Sequence, residues 1–277
     1  MLIRLVLVFL YVLFPCGFLS LNAQEAFFDP TKDLLIAQFD CKTDVDDLHT
    51  VAALATLLNH KEYKDIHYHA VAGAYGIQEG LYVLPNALFQ LAFGTHWSDA
   101  HEDGNKATQE VLSLVEAQLD SGGNIWVAEA GQSDFSAKWI RALQALRPQL
   151  NTKQRIHIVQ HSKWNEEVTA PESFEYVNRV TDYRKIPDGN AVGNGTPGFR
   201  SDEIIDWRRQ ISTPNLVQIW EMALRIGQEY NGKDGRYLNT AIANGGLDFS
   251  DLSETCYLLQ LDHLKDAVAF FAYFADK

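Results

Sequence analysis

The sequence predicts an α/β protein with a doubly wound, mostly parallel sheet and helices on both faces. Apolar runs of strand length recur along the chain, and segments with a helical spacing of apolar residues separate them. Strands that alternate with helices in this way form parallel sheets covered by helices. The 277 residues are enough for one domain with a large core, and no internal repeat or low-complexity linker divides them.

The first half of the chain alternates most clearly. Residues 34–39 form an apolar run of strand length, and the apolar residues of 51–58 recur at i, i+3, i+4 and i+7, as in a helix. Residues 66–74 predict a second strand, which ends among glycines. Residues 86–93 predict part of a further helix.

The middle of the chain repeats the pattern and then loses it. Residues 125–129 and 155–160 predict two strands, separated by a helix with one apolar face formed by Trp139, Ile140, Leu143 and Leu146. Residues 162–214 predict a long loop region, since the stretch DGNAVGNGTPG at 188–198 is too rich in Gly and Asn for a regular element. A helix over 216–230 and two apolar helical segments complete the chain.

The N-terminal residues predict export. Residues 1–23 carry one Arg, a long apolar stretch and the small residue Ala23 before polar sequence, which is the pattern of a secretory signal peptide. An uncleaved membrane anchor is the alternative, because the apolar run approaches the length that spans a bilayer. The small residue and the lack of a basic stop-transfer cluster favour cleavage near Ala23. We therefore expect a domain over 24–277 that is secreted or periplasmic and free of the membrane.

The charge and the cysteine content limit the possible partners and metal sites of the protein. Acidic residues outnumber basic ones 36 to 23, so nucleic acid is excluded as a partner and a small molecule is expected instead. A homo-oligomer remains open. Cys41 and Cys256 are too few for a disulfide framework and lack partners at zinc-binding spacing, so we expect two free thiols.

The stretch FDCKTDVDD at 39–47 places four aspartates between a predicted strand and a predicted helix. Helix capping explains one or two of them. The mutual repulsion of Asp40, Asp44, Asp46 and Asp47 favours a bound cation, and oxygen ligands suit a hard divalent ion, Ca²⁺ before Mg²⁺. The sequence therefore predicts a metal site here.

Two other kinds of acidic loop share part of this pattern. An EF-hand loop that begins at Asp40 needs Gly and Glu where this chain has Val45 and Val51, so it is excluded. A phosphotransferase of the haloacid dehalogenase type has a second Asp where this chain has Lys42, and it stays as an alternative.

Ligands of doubly wound sheets bind beyond the carboxyl ends of the strands. Asp40, Asp134 and His161 each follow a predicted strand directly, so we expect them at that edge. Asn165, Asn190 and Asn194 follow in the predicted loop region, where they are candidates for binding sugar hydroxyls. Asn-Gly pairs also form turns, so turn formation is the other interpretation.

Three segments resemble the nucleoside hydrolase superfamily, and most closely its nucleoside hydrolase-like domains. A strand that ends in Asp40, followed by acids four, six and seven residues later, resembles the N-terminal signature of this group. The segment AGQSDFSAKWIRAL at 130–143 resembles the family's strand-to-helix turn, and SDLSETCYLL at 250–259 resembles its late segment that opens a helix. The resemblance implies a doubly wound domain that hydrolyses N-glycosidic bonds of ribonucleosides with bound Ca²⁺.

The resemblance also assigns roles to individual residues. It implies that Asp47 and Asp251 are metal ligands, that Ser133 contributes its backbone carbonyl, and that Asp46 holds a ribose hydroxyl. Asp40 is expected beside the metal.

The chain departs from the family pattern at three positions, one of which is the Asn expected after the second strand, where this chain has Tyr75 and Gly76. Lys42 stands where the family has its catalytic, metal-binding Asp, so we assign that role to Asp44. Ser250 stands where many members have the His that serves the leaving group.

We therefore expect an exported, Ca²⁺-dependent hydrolase of N-glycosidic bonds, acting on a nucleoside or a similar glycoside. A non-catalytic carbohydrate-binding domain on the same fold is the alternative. The position of Lys42 discriminates between them, because an ammonium among the carboxylates replaces cation charge.

Overall fold

The computed structural model describes residues 26–276, and its centre is a six-stranded sheet in which every strand is parallel. The order is β3-β2-β1-β4-β5-β6. These strands are β1 Leu34–Phe39, β2 His67–Ala72, β3 Trp97–Asp99, β4 Ile125–Ala130, β5 Ile156–Gln160 and β6 Asp182–Lys185. The predicted doubly wound α/β fold is confirmed.

Helices cover both faces of the sheet. They are α1 Asp46–Asn59, α2 Asn86–Phe93, α3 Gly104–Asp120, α4 Ser133–Leu146, α5 Thr152–Arg155, α6 Lys163–Glu167, α7 Pro171–Val180, α8 Pro214–Tyr230, α9 Thr240–Ala243, α10 Ser253–Leu258 and α11 Ala267–Phe274. A small antiparallel pair, β7 Arg200–Ser201 and β8 Leu247–Asp248, lies apart from the main sheet. Short 3₁₀ helices span Trp207–Arg209 and Ser250–Leu252.

Side chains of the central strand β1 pack into two separate hydrophobic cores. Successive side chains of a strand point to opposite faces of the sheet. Leu35 and Phe39 accordingly pack into a core that includes α1, α8 and α11, whereas Leu34 and Ile36 pack into the core of α3, α4 and α7. Because every residue of β1 is buried, its sequence is an apolar run that only Gln38 interrupts.

The prediction of a loop region over 162–214 was wrong in its first part. The structure places α6, α7 and the edge strand β6 there. The edge strand reads DYRK and buries no residue fully, so it lacks the apolar signal of a central strand. The stretch 188–198 forms no helix or strand, as predicted.

Two further differences concern helices. The 17-residue helix α3, which begins after the N-cap Asp103, was not predicted at all. Its mean hydropathy is low and only six of its residues are buried, so its apolar stripe is narrow. Leu146 was predicted on the buried face of α4, but its side chain is 59% exposed because the helix ends there.

The strand order reverses between β1 and β4, and the chain winds away from this pair in both directions. The backbone is tightly packed at this edge, because a Cβ atom at Gly131, just after β4, would collide with the carbonyl oxygen of Ala74, just after β2, and lie 3.2 Å from the backbone nitrogen of Asp40. Ligands of doubly wound sheets bind at the point where the strand order reverses. The acidic loop after β1 therefore begins where a ligand is expected.

The predicted signal segment 1–23 lies outside the described residues. No helix between residues 26 and 276 combines the length and the apolar composition that crossing a bilayer requires.

Candidate metal centre

A cavity of about 510 Å³ opens at the carboxyl edge of the sheet. Its walls come from the loop after β1, the segment after β5, the loop after β6 and the turn before α10. The lining residues are Asp40, Lys42, Thr43, Asp44, Asp46, Ala130, His161, Ser162, Trp164, Asn165, Asp188, Asn190, Arg200, Tyr237 and Asp251. Asp40 and His161 thus lie at the predicted edge, whereas Asp134 is not among the lining residues and accepts a hydrogen bond from the Ala170 amide.

Three carboxylates meet beside this cavity. One oxygen each of Asp46, Asp47 and Asp251 lies within 4.8 Å of the others. The first two begin α1 and the third lies in the 3₁₀ helix that follows β8, so the fold brings together residues from the first and the last elements of the described chain. The expectation that Asp47 and Asp251 lie close together is confirmed, and Asp46 joins them.

The Asp47 carboxylate has one oxygen without a partner. Its Oδ2 accepts a hydrogen bond from the Cys41 amide at 2.6 Å, while its Oδ1 is buried and has no hydrogen-bond partner among the described residues. A buried carboxylate oxygen without a donor is costly. Three converging carboxylates with one such oxygen fit a hard divalent cation.

The pKa values of the three carboxyl groups also favour a bound cation. Burial raises the pKa of Asp46, Asp47 and Asp251 well above the usual value. The charge of Asp44 raises the pKa of Asp46 further, and that of Asp40 does the same for Asp47. Opposite charge within a few ångströms removes this penalty, so the cluster is best satisfied by a cation.

Asp40 lies beside the cluster and is held by three donors. Its oxygens accept hydrogen bonds from the Lys42 amide at 2.8 Å, from Gln132 Nε2 at 2.8 Å and from Gln78 Nε2 at 3.1 Å. Burial raises its pKa to about 6, and the hydrogen bonds from Gln132 and Lys42 oppose the rise. Asp40 therefore orders the loop, and its expected place beside a metal stays a prediction.

The backbone after Asp40 takes an unusual conformation. Cys41 has φ of +52°, in the left-handed region that non-glycine residues rarely adopt. This turn directs the Cys41 amide to Asp47, and its carbonyl accepts a hydrogen bond from the Val83 amide at 2.9 Å. Such strain persists only where the surroundings hold it, and it is frequent at functional sites.

Both cysteines of the described chain are buried free thiols. Burial raises the pKa of Cys41 and of Cys256 well above the usual value. The expectation of unpaired thiols is confirmed.

Asp44 lines the cavity but lies outside the three-carboxylate cluster. Its Oδ1 accepts from the Val45 amide at 2.6 Å and its Oδ2 from Asn239 Nδ2 at 3.3 Å. Asn239 also binds buried Asp248 at 2.8 Å. The metal-binding and catalytic roles assigned to Asp44 stay predictions, and Asn239 and Asp248 were not singled out from the sequence.

Ser133 lies away from the cavity wall. It is the first residue of α4, its hydroxyl donates to Glu129 at 2.6 Å, and its amide donates to the Thr169 hydroxyl at 3.2 Å. It is not among the residues that line the cavity. Its predicted role as a carbonyl ligand stays a prediction, while Gln132 just before it reaches Asp40.

Lys42 turns away from the carboxylates. Its Nζ donates to the Gln78 carbonyl at 2.7 Å and lies 4.4 Å from the centre of the Tyr75 ring. The ion pairs found among residues 26–276 do not include Lys42. Its ammonium therefore binds a carbonyl oxygen and an aromatic face and forms no ion pair with the cluster.

The three predicted asparagines differ in position. Asn165 lines the cavity and is buried, and its Oδ1 accepts from Gln132 Nε2 at 2.9 Å. Asn190 also lines the cavity, with its amide bound to Asp188. Asn194 does not line it, and its amide donates to the Asp188 carbonyl within the loop. Turn formation is thus the role that the geometry gives Asn194.

His161, expected at this edge, forms a buried pair with Glu254, which the sequence did not indicate. Glu254 Oε1 accepts from His161 twice, from its amide at 3.0 Å and from Nδ1 at 2.8 Å. Burial alone would lower the pKa of His161, but the charges of Glu254 and Asp251 outweigh it and raise the pKa to about 9. No local pattern links residues 93 positions apart, so Glu254 carried no signal.

Two aromatic side chains stand at the cavity margin. Trp164, in α6, is 48% exposed, and Tyr237, before α9, is 52% exposed. Both line the cavity. Exposed aromatic rings beside a polar cavity are suited to stacking on a ligand ring.

The chain was compared with models of protein families, with curated proteins and with solved structures, and none of them matched it. The resemblance to nucleoside hydrolases therefore rests on the sequence motifs.

Proposed function

We propose that this protein is an exported hydrolase of glycosyl bonds that requires a divalent cation and acts on a nucleoside or a similar small glycoside. The observation that carries the proposal is the convergence of Asp46, Asp47 and Asp251 beside a cavity, with one buried oxygen of Asp47 lacking a partner. The strand order supports it, because the cluster lies where doubly wound sheets bind ligands. Export rests on the N-terminal pattern alone.

The chemistry of glycosyl transfer suits an acidic cavity. Cleavage passes through an oxocarbenium-like transition state, which anionic surroundings stabilise. A divalent cation supplies Lewis-acid chemistry there, by acidifying water and by binding vicinal hydroxyls. The residue-by-residue resemblance implies Ca²⁺ as that cation.

The residues of the chain divide the remaining work. Asp47 and Asp251 would hold the cation, and Asp46, which is only partly buried, would bind a sugar hydroxyl beside it. Asp44 lies on the cavity wall as the proposed base, ordered by the Val45 amide and Asn239. Lys42 keeps its charge outside the cluster through the Gln78 carbonyl.

The cavity has the size and margin of a small-molecule site. Its volume of about 510 Å³ lies within the range that holds nucleosides and disaccharides. Trp164 and Tyr237 offer ring faces to a base or a sugar, and buried Asn165 offers a polar group nearby.

The test measures hydrolysis by the mature chain, first stripped of metal and then given Ca²⁺, Mg²⁺ or Mn²⁺. A panel of ribonucleosides and nitrophenyl glycosides, read by released sugar and by nitrophenol, covers the substrate class. We expect turnover that depends on the cation and falls at least about 100-fold in Asp47→Asn. Asp134→Asn is the matched control, since it makes the same change at the same sheet edge outside the cavity.

Two results would contradict the proposal. Cation and sugar binding that Asp47→Asn abolishes, without hydrolysis of any panel member, would favour the carbohydrate-binding domain. Hydrolysis that is unaffected by metal removal would show that the carboxylate cluster has another purpose.

A further inference from the structure

Arg200 places a positive charge on the wall of an acidic cavity. Five aspartates line this cavity, and the lysine and arginine residues beside them in the described chain are Lys42 and Arg200. The Lys42 ammonium already binds the Gln78 carbonyl at 2.7 Å. The side chain of Arg200 is 28% exposed, so a ligand in the cavity can reach it.

The surrounding backbone holds Arg200 in place. Arg200 begins β7 and lies opposite Asp248 of β8 in the antiparallel pair. Phe199, just before it, is fully buried and stacks on Phe249 with the ring centres 4.9 Å apart. The side chain therefore extends from a firmly packed segment, as a preorganised binding residue requires.

The buried carboxylate opposite Arg200 has other hydrogen-bond donors. Asp248 Oδ2 accepts from Asn239 Nδ2 at 2.8 Å, and Asp248 Oδ1 accepts from the Ser250 hydroxyl at 2.9 Å. Arg200 Nε lies 3.8 Å from Asp248 Oδ2, which is too long for a hydrogen bond. The two charges attract each other, but Asp248 does not use the N–H donors of Arg200.

The guanidinium of Arg200 keeps donors for a ligand. Its Nη2 donates to the Thr240 hydroxyl at 3.0 Å, and the Tyr237 side chain also interacts with it. A guanidinium carries five N–H donors in a planar fork. These contacts with residues between 26 and 276 leave part of the fork unused. Such a fork matches the paired oxygens of a phosphate or a carboxylate.

We infer that Arg200 binds an anionic group of the substrate, so that the preferred glycoside carries a phosphate or a carboxylate. The inference rests on the proposed function and narrows its substrate class. The five aspartates of the cavity repel an anion. The anionic group therefore binds well only after a cation has occupied the carboxylate cluster.

Two other arrangements compete with this one. An anionic group that binds the cation directly would also favour anionic sugars, without any part for Arg200. Alternatively, Arg200 serves only to offset the charge of Asp248, and then no preference for anionic sugars exists. Variants of the two residues separate these cases.

The experiment measures, by calorimetry, the binding of two ligand pairs to the mature protein loaded with Ca²⁺. One pair is ribose and ribose 5-phosphate, and the other is glucose and glucuronate, so the two pairs distinguish phosphate from carboxylate. We expect at least one anionic sugar to bind about 10- to 100-fold more tightly than its neutral partner, as for a charge-assisted hydrogen bond. Arg200→Gln should reduce this preference to below about threefold, and removal of Ca²⁺ should weaken binding of the anionic sugar at least about 10-fold.

Asp248→Asn is the matched control, because it removes the opposite charge and keeps Arg200. The preference for the anionic sugar should remain in this variant. Arg208→Gln should also leave it unchanged, since Arg208 pairs with Glu221 at 2.6 Å and does not line the cavity. Circular dichroism identifies any variant that fails to fold. If Arg200→Gln is among them, the double variant with Asp248→Asn replaces it, because no charge of the pair is then left without its partner.

Equal binding of the neutral and anionic sugars by the wild type would overturn the inference. A preference that persists in Arg200→Gln would do the same, since the anionic group would then bind the cation. These readouts do not depend on catalysis. A preference that requires Arg200, without hydrolysis of any glycoside, would remove the proposed function alone. Cation-dependent hydrolysis without any preference for anionic sugars would remove this inference alone.

Discussion

Replacing Glu129 by Gln should make the stability of the protein less sensitive to pH. Glu129 is fully buried near the end of β4, where its two oxygens accept hydrogen bonds from Ser133 and Ser136, each at 2.6 Å. Both serines lie in the first turns of α4, next to Gln132, which binds Asp40. The carboxyl group thus anchors the helix that supports one side of the candidate site.

The size of the effect follows from the pKa of Glu129. Burial raises this pKa from 4.5 to about 7, against the opposing hydrogen bonds of Ser133 and Ser136. The folded state therefore keeps a proton that the unfolded chain has already lost, so stability falls as pH rises from about 4.5 through about 7. The difference between the two pKa values corresponds to a loss of roughly 3 kcal/mol, complete above about pH 8.

Urea unfolding of wild type and Glu129→Gln at about pH 5 and pH 9, with chelator present, measures this loss. Glutamine does not ionise, so the variant should gain about 3 kcal/mol relative to wild type between the two pH values. Other groups titrate alike in both proteins and cancel in the comparison. Glu116→Gln, at a partly exposed ion pair with Arg147, should show a change below about 1 kcal/mol.

A difference between Glu129→Gln and wild type that stays constant from pH 5 to pH 9 would refute this reasoning. It would mean that burial does not raise the pKa of Glu129 as the surroundings indicate.

Three further predictions concern the loop after β1 and the base of the sheet. Lys42→Ala should change cation affinity less than about threefold in calorimetric titration, because its ammonium binds a carbonyl and not the cluster; a clear gain would place its charge near the ion. Cys41 and Cys256 should react with a thiol reagent only after denaturation without reductant, since both are buried and unpaired; rapid labelling of the native protein would contradict their burial. Asp33→Ala should lower the free energy of unfolding by about 2–4 kcal/mol in urea, because it leaves three donors unpaired, including Trp126 Nε1; a loss below about 1 kcal/mol would show that water replaces the carboxylate.

Local pattern was sufficient to predict most of the architecture. The buried strands β1 and β4 and the helices α1 and α8 each carry a strong periodic or apolar signal, because their positions in the core demand it. The edge strand β6 and the surface helix α3 bury less, so their sequences carry less of that signal and were not predicted. Prediction failed where burial is partial.

Some residues of the candidate site were also predictable from the sequence. The sheet rule placed Asp40 at the ligand edge, and the motif resemblance brought Asp47 and Asp251 together, since both depend on which residues follow a strand or open a helix.

Only the tertiary structure decided the partners of these groups. Three hydrogen bonds join groups from separate elements: that of His161 to Glu254, that of Gln132 to Asp40, and that of Lys42 to the Gln78 carbonyl. Such contacts arise from packing in three dimensions and leave no periodicity in the chain. The sequence by itself therefore determined where charge would gather, and the folded packing determined which carboxylate oxygen was left without a partner.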